Sequence, residues 1–222
     1  MTSHAGFDIS EFPGLATMAA LKASTNLEWV VQYLVSPSHH AADWTGQRKA
    51  LAAQGWGLAP VFVGQQVSGP GAHDVTMLAG TADGLAACAR MIAEGYPAGS
   101  CVFLDLENGP PFAAPQTEYV RAWVASVRAG GWTPGVYCSH LIAAAVAAAN
   151  PGARIFAFRV PTVERTGPEH APFPTPNVAL CGLAGAAAWQ YRQNVEISGG
   201  GPGDLRLIVD LDVAATPDPS AP

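Results

Sequence analysis

One phrase of apolar and turn-forming residues recurs three times along the chain. It reads LAAQGWGLAPVFVG at residues 51–64, MIAEGYPAGSCVFLDLE at 91–107 and VRAGGWTPGVYCS at 127–139. Each copy runs from the end of an Ala-rich helix through a glycine, an aromatic residue and a small or Pro-containing turn into a strand. Gly55, Gly95 and Gly130 or Gly131 stand where a helix C-cap takes a left-handed residue. The strands that follow, APVFV, CVFLDL and GVYC, are short and continuously apolar. That is the pattern of parallel strands buried on both faces.

The intervals between these strands keep apolar residues at helical spacing. Helices are predicted at 74–94, at 115–129, which begins with Pro115 and offers Thr117 as a cap, and at 140–149, which ends at Asn150-Pro151. Further strands are predicted at 4–10, 29–35, 154–160, 186–192 and 205–212, with a helix over 13–25. Eight strands alternating with helices predict α/β architecture, and their number predicts a (β/α)8 TIM-type barrel. Such barrels typically take about 250 residues. At 222 residues, some late helices should be irregular or missing, and the Pro- and Gly-rich stretch 161–183 reads as a loop. Residues 64–76 (GQQVSGPGAHDVT) form a second irregular loop. A doubly wound sheet would carry a Gly-rich phosphate loop after its first strand, but SEFPGL there has neither the GxGxxG nor the GxxxxGK[ST] form. The barrel domain is expected over residues 1–215, with 216–222 (TPDPSAP) as a flexible tail.

Composition narrows the partners. The chain is 49% hydrophobic and 13% charged, against about 25% charged in an average soluble domain. It is too apolar to be disordered. With 11 Lys+Arg against 17 Asp+Glu it is not built to neutralise a phosphate backbone, so nucleic acid is not an expected partner. No apolar run reaches the 18 residues of a membrane span, and residues 1–10 lack the basic and apolar regions of a signal peptide. No membrane partner is expected, the compartment stays open, and a monomer is the expected state. Cys88, Cys101, Cys138 and Cys181 show no metal-binding spacing. They read as buried thiols, with a Cys101–Cys138 bridge as the alternative.

Because charge is scarce, its placement is informative. Asp8 lies in GFDIS, Asp105 and Glu107 in VFLDLEN, and Asp210 and Asp212 in LIVDLD. All five fall at or near the C-terminal ends of apolar strands, taken as parallel. Residues i and i+2 of a strand share a face, so each pair projects together. The C-terminal strand ends of an α/β barrel meet at one mouth, where active sites sit. The plain alternative is that these acids pair with arginines such as Arg159 and Arg192. As a cluster they suit glycoside cleavage by a carboxylic acid and a second carboxylate. They suit a metal less well, since no phosphate loop, HxxxH or HExxH accompanies them; no metal and no cofactor is expected. Tyr137, Trp189, Gln190 and Tyr191 at strand ends offer the aromatic faces and amide that bind a pyranose. Trp56 and Trp132 follow helix-ending glycines at the opposite end and read as structural. His39, His40 and His140 read as loop or helix-start residues, and no GxSxG elbow is present.

The ordered set GFDIS, VFLDLEN, PGVYCS and WQY followed by VDLD resembles the lysozyme-type family 25 glycoside hydrolases. It is closer still to the bacterial glycoside hydrolase-like domains grouped as DUF1906. The resemblance covers residues 4–213. It implies a barrel acting on bacterial cell-wall glycan, a muramidase-like hydrolase of peptidoglycan or a related polysaccharide. Carried over, the catalytic positions are Glu107 as general acid, Asp105 beside it to position an N-acetyl group or stabilise charge, and Asp8 and Asp210 to orient the sugar and tune Glu107. Tyr137, Trp189, Gln190 and Asp212 are the expected substrate-binding residues. A protein of this kind would meet its wall after release or export by another route. The alternative is a catalytically silent glycan-binding or cell-envelope module on the same barrel.

Overall fold

The computed structural model describes residues 2–40, 42–69, 71–160, 168–199 and 205–222. Strand β1 (His4–Asp8) leads to helix α1 (Leu15–Ser24) and strand β2 (Leu27–Leu34). A short α2 (Arg48–Ala53) precedes β3 (Gly57–Val63). Then come α3 (Met77–Glu94), β4 (Cys101–Leu106), α4 (Ala114–Ala129), β5 (Thr133–Ser139), α5 (His140–Ala149) and β6 (Arg154–Phe158). A two-residue β7 (Glu169–His170) and a 3-10 turn (Val178–Cys181) stand where a regular helix would be, and β8 (Ala188–Gly199) and β9 (Leu205–Ala214) finish the set. The late helices are thus irregular or missing. Residues 161–167 of the expected loop lie outside the described residues. No helix among the described residues is long and apolar enough to cross a membrane.

Eight of these strands close into a mixed barrel, a (β/α)8 TIM-type architecture with few helices. Neighbours run β6, β5, β4, β3, β2, β1, β9, β8, and β6 pairs β8 to shut the ring. All contacts from β1 to β6, and β6 with β8, are parallel. The last strand differs: β9 runs antiparallel to both β8 and β1. A parallel return needs a crossover of about a dozen residues or more, and only residues 200–204 separate β8 from β9. The sequence reading of Asp210 and Asp212 as lying at a parallel strand's C-terminal end is corrected accordingly.

Two cores result from the strand period of two. Outward side chains pack under the helices. Inward ones, Trp29, Val31, Ala59, Val61, Cys101, Phe103 and Phe156 among them, fill the barrel. Gly6 is part of that filling: a Cβ there would stand 2.2 Å from the Trp29 ring, whose indole N–H donates to the His4 carbonyl at 3.0 Å. Of the repeated glycines, Gly95 ends α3 in the left-handed region (φ 74°), and Gly131 (φ 83°), not Gly130, takes it after α4. Thr117 is not a cap. The N-cap of α4 is Ala113, and the Thr117 hydroxyl donates back to the Ala113 carbonyl at 3.0 Å inside the helix. All four cysteines are buried free thiols. Cys101 pairs with Thr133 while Cys138 pairs with Leu106, which sets the two thiols at opposite ends of the β4–β5 ladder, roughly 16 Å apart along the strands.

The expected flexible tail is instead laid across the barrel floor. Cys101 N–H donates to the Ser220 carbonyl (2.8 Å), and Ser220 N–H to the Leu58 carbonyl (2.9 Å). The Asp218 carboxylate accepts from the N–H groups of Leu58 and Ser220 and from the Ser220 hydroxyl. Arg154 donates to the carbonyls of Pro219 and Ala221. The tail supplies partners to strand-start backbone that the ring itself leaves open. Asp218→Ala should cost about 1–3 kcal/mol, a fall of roughly 2–10 °C in Tm for a domain of this size. Thermal unfolding followed by circular dichroism measures it, and an unchanged Tm would count against the floor role.

Candidate active site

The inward alternation at the mouth gathers the scarce acids. β1 ends in Asp8, β4 carries Asp105 inward, and Glu107 follows just beyond its end. Asp8 and Asp210 are opposite one another in the β1–β9 register, and Asp212 pairs with Gly6 one rung deeper. Tyr33 from β2, Tyr137 from β5, and Gln190 and Gln193 from β8 complete a pocket whose inner wall is Val31, Val61 and Phe156. The cavity measures about 80 Å³, well below the roughly 300–1,000 Å³ of a drug-sized ligand site. A cavity of this size matches one substituent of a ligand in volume rather than a whole sugar ring.

Four of the predicted catalytic positions, Asp8, Asp105, Glu107 and Asp210, therefore line one pocket, with Tyr137 and Gln190. Two predicted binding residues do not line it. Asp212 is fully buried (0% exposed), because the antiparallel β9 carries it toward the floor. Trp189 alternates outward. Its ring packs on Tyr191 at 5.8 Å and its indole N–H donates to the Arg159 carbonyl at 2.9 Å. The arginines offered as plain partners are engaged elsewhere, Arg159 with the Leu180 carbonyl and Arg192 with Glu169.

Hydrogen bonds fix most of the carboxyl groups. Tyr33 donates to Asp8 Oδ1 (2.9 Å) and the Gln190 amide to Asp8 Oδ2 (2.9 Å). The same amide nitrogen donates to Asp210 Oδ2 (2.8 Å), and Asn194 N–H to Asp210 Oδ1 (2.6 Å). Asp105 is 5% exposed, and among the described residues its Oδ1 and both oxygens of Asp212 have no hydrogen-bond partner. Glu107 differs from all of these. Its side chain is exposed at the rim, and among the described residues no hydrogen bond or ion pair holds it. Its backbone is held: Glu107 N–H donates to Gln66 Oε1 (3.1 Å), while Gln66 Nε2 donates to the Asp105 carbonyl (3.2 Å).

Burial then sets the protonation pattern. Asp105 is pushed well above the usual carboxylate range, first by burial, then by Glu107 and Asp8. Asp212 is raised likewise by burial, Asp8 and Asp210. Asp8 is raised to about 7 by burial and by Asp210, against the opposing pull of its bonds from Gln190 and Tyr33. Burial also pushes the Tyr33 and Tyr137 phenols up, so both remain O–H donors. Among the described residues no three Asp, Glu, His or Cys side chains converge as a metal site.

The sequence reading did not single out Tyr33, Gln66, Gln193 or Asn194. Tyr33 was within reach, as an inward position two residues beyond Val31. His39, read as a loop residue, packs its ring on Tyr33 at 5.2 Å, and His140 contacts the Phe158 carbonyl.

Comparison with known proteins agrees with this architecture. The family described as "Rv2525c-like, glycoside hydrolase-like domain" matches residues 19–214. No curated protein matches. Among solved structures, the Mycobacterium tuberculosis Tat-secreted protein Rv2525c in complex with HEPES is similar at a TM-score of 0.59 and 16% identity, over 97% of this chain and 96% of that one. The catalytic domain of endolysin ply40, from bacteriophage P40 of Listeria monocytogenes, is similar at 0.55 and 13%, over 97% and 94%. The modular autolysin LytC from Streptococcus pneumoniae, in complex with a synthetic peptidoglycan ligand, is similar at 0.56 and 9%, over 95% of this chain and 46% of that one.

The raised Asp8 has a stability consequence. In the folded protein it stays protonated up to about pH 7, whereas in the unfolded chain it ionises near pH 4. Between these values unfolding releases a proton, so the Asp8 contribution falls as pH rises through this window and is fully unfavourable above it. The Tm of Asp8→Asn relative to wild type should be flat below about pH 4, climb between about 4 and 7, and level off above that. A difference that stays constant across the whole range would contradict the assignment.

Proposed function

The chain belongs to the Rv2525c-like glycoside hydrolase-like family, and from that premise we propose that it hydrolyses β-1,4 glycosidic bonds of peptidoglycan or a related bacterial cell-wall glycan. The supporting observation is the contrast within the DxE pair. Glu107 is exposed at the rim, where among the described residues no hydrogen bond holds its side chain, while Asp105, two residues earlier, is buried in the pocket wall with its carboxyl pushed well above the usual carboxylate range. Glu107 delivers its proton to the leaving glycosidic oxygen as the C–O bond breaks. Water supplies the hydroxyl that ends on the anomeric carbon, and its remaining proton restores the acid.

The neutral Asp105 donates a hydrogen bond into a cavity whose wall is Val31, Val61 and Phe156. That combination suits an acetamido group, with its carbonyl on Asp105 and its methyl on the apolar wall. Tyr137 offers an aromatic edge to the ring lying across the mouth, and Asp8 and Asp210 orient its hydroxyls. Likeness to an autolysin solved with a peptidoglycan ligand and to an endolysin catalytic domain supports the same substrate class. The small cavity supports a second reading, a module on the same barrel that holds the glycan without cleaving it.

Purified cell walls separate the two. Wild-type protein should lower wall turbidity and release reducing ends. Glu107→Gln should lose activity by about 10²–10⁴-fold, the usual weight of a general acid, while still sedimenting with the walls. Undiminished activity in Glu107→Gln would remove Glu107 from its role. Saturable wall binding by the wild type with no reducing ends released would favour the binding module.

A further inference from the structure

Glu107 has no place in the strand ladder. The rungs of β4 end with Asp105 on the β3 side and with Leu106 on the β5 side. Just beyond β3, Gly64 N–H still donates to the Asp105 carbonyl at 3.3 Å. The side chain of Gln66 then stands where the next rung would be. Its Oε1 accepts from Glu107 N–H at 3.1 Å, and its Nε2 donates to the carbonyls of Asp105 at 3.2 Å and Gly64 at 3.4 Å. The opposite amide orientation would set N–H against N–H and carbonyl against carbonyl, so the contacts fix one orientation. Gln66 is 4% exposed, and its own backbone is held: the N–H donates to the Ala72 carbonyl at 3.1 Å, and the carbonyl oxygen lies 2.9 Å from His73 Nδ1.

Other residues fasten this loop to the body of the protein. Gln65 N–H donates to the Tyr119 hydroxyl at 2.9 Å, Gln65 Nε2 donates to Asp83 Oδ2 at 3.2 Å, and Gln65 Oε1 accepts from Asp74 N–H at 3.2 Å. Val67 N–H donates to Asn108 Oδ1. With the loop secured toward α3 and α4 in this way, the Gln66 amide acts on the end of β4. Leu106, between the two acids, is fully buried in the outer core. Three consecutive residues are therefore fixed: Asp105 by the ladder and the amide, Leu106 by packing, and Glu107 by its N–H. The Glu107 side chain keeps its own torsions and little else. A misplacement of about 1 Å at a reacting group can cost on the order of 10²-fold in rate. We propose that Gln66 is a positioning residue: its amide replaces a missing β3 rung and sets the place from which Glu107 reaches the pocket beside Asp105. The inference deepens the hydrolase reading and rests on it for the role of Glu107, whereas the anchoring rests on the geometry of Gln66.

Gln66→Met keeps the side-chain length and removes the amide's bonds. Initial rates on solubilised cell-wall glycan should show kcat lowered by about 10²-fold with KM little changed, the split expected when substrate contacts persist and the acid is misplaced. Gln65→Met cuts the loop's bond to Asp83 instead, and should lower Tm while leaving kcat near wild type. A wild-type kcat in folded Gln66→Met would overturn the proposal, as would a loss confined to KM or an equal kcat loss in Gln65→Met. Wild-type protein without activity would instead remove the hydrolase reading. The anchoring is then read without any glycan, by hydrogen exchange at the Glu107 amide. Exchange should be slow in wild type and about 2–10-fold faster in Gln66→Met. Rapid exchange in wild type, or equal rates in the two proteins, would overturn the proposal. Should Gln66→Met fail to fold, Gln66→Asn decides, since its amide is one methylene too short to reach both β4 groups. It should show the same kcat loss and the same faster exchange, and wild-type values for both would overturn the proposal.

Discussion

A carboxyl group inside a β-barrel must be protonated, hydrogen-bonded or paired with a cation, because an isolated carboxylate is far too costly to take out of water. Around Asp8 and Asp105 the described residues place no arginine or lysine in an ion pair, and the requirement is met there by the first two means. Burial pushes Asp105 and Asp212 well above the usual carboxylate range, and among the described residues Asp105 Oδ1 and both Asp212 oxygens have no hydrogen-bond partner. Asp8 and Asp210 are surrounded by donors drawn from β2 and β8. Much else follows from that division. Tyr33 and Tyr137 must remain phenols to donate, and burial holds them so. The aromatic filling of Trp29, Phe103 and Phe156 excludes water from below and supplies part of the burial that pushes the deeper acids above the usual carboxylate range.

Chain topology creates the pairing on which this depends. A ring of purely parallel strands would have set the last acid pair with Asp210 deeper than Asp212. The short connection after β8 forces a hairpin, reverses β9, and brings Asp210 level with Asp8. The same hairpin carries register shifts between Gln190 and Val195, and Asn194 takes a positive φ of 54°. That local departure from regular pairing turns the Asn194 N–H onto Asp210. A bulge beside a functional pocket commonly re-aims a group in this way, and here the re-aimed group is a backbone donor.

Much of the architecture is legible in the sequence because strand and helix periods are local. The repeated helix, glycine, aromatic and strand phrase places three βα units, and DxE places two acids on one face. What escaped depends on distant partners. The direction of β9 needed the connection length weighed against the reach of a crossover. The phase of WQY, with Gln190 inward and Trp189 outward, needed the register with β9, since a period of two gives alternation without saying which face is which. The tail's Pro, Asp and Ser content reads as flexible, yet its order comes from backbone groups of Leu58 and Cys101 more than a hundred residues away. Gln66 lies in an irregular loop, and its bonds to the β4 end leave no periodic trace.

The two acids of the DxE motif show how one local pattern yields two environments. Strand pleating turns both toward the same side, but β4 ends at Leu106, between them. Asp105 remains inside the ladder, in register with Tyr137 and Val63, and is sealed there. Glu107 stands one step past the last rung, where Gln66 holds its backbone and water reaches its side chain. Two carboxyl groups whose surroundings differ this far take different parts in proton chemistry. Burial pushes the Asp105 carboxyl well above the usual carboxylate range, while the Glu107 side chain lies exposed at the rim. The point at which β4 ends, rather than the identity of either residue, divides the roles, and Gln66 anchors the chain there by bonding the backbone on both sides of Leu106.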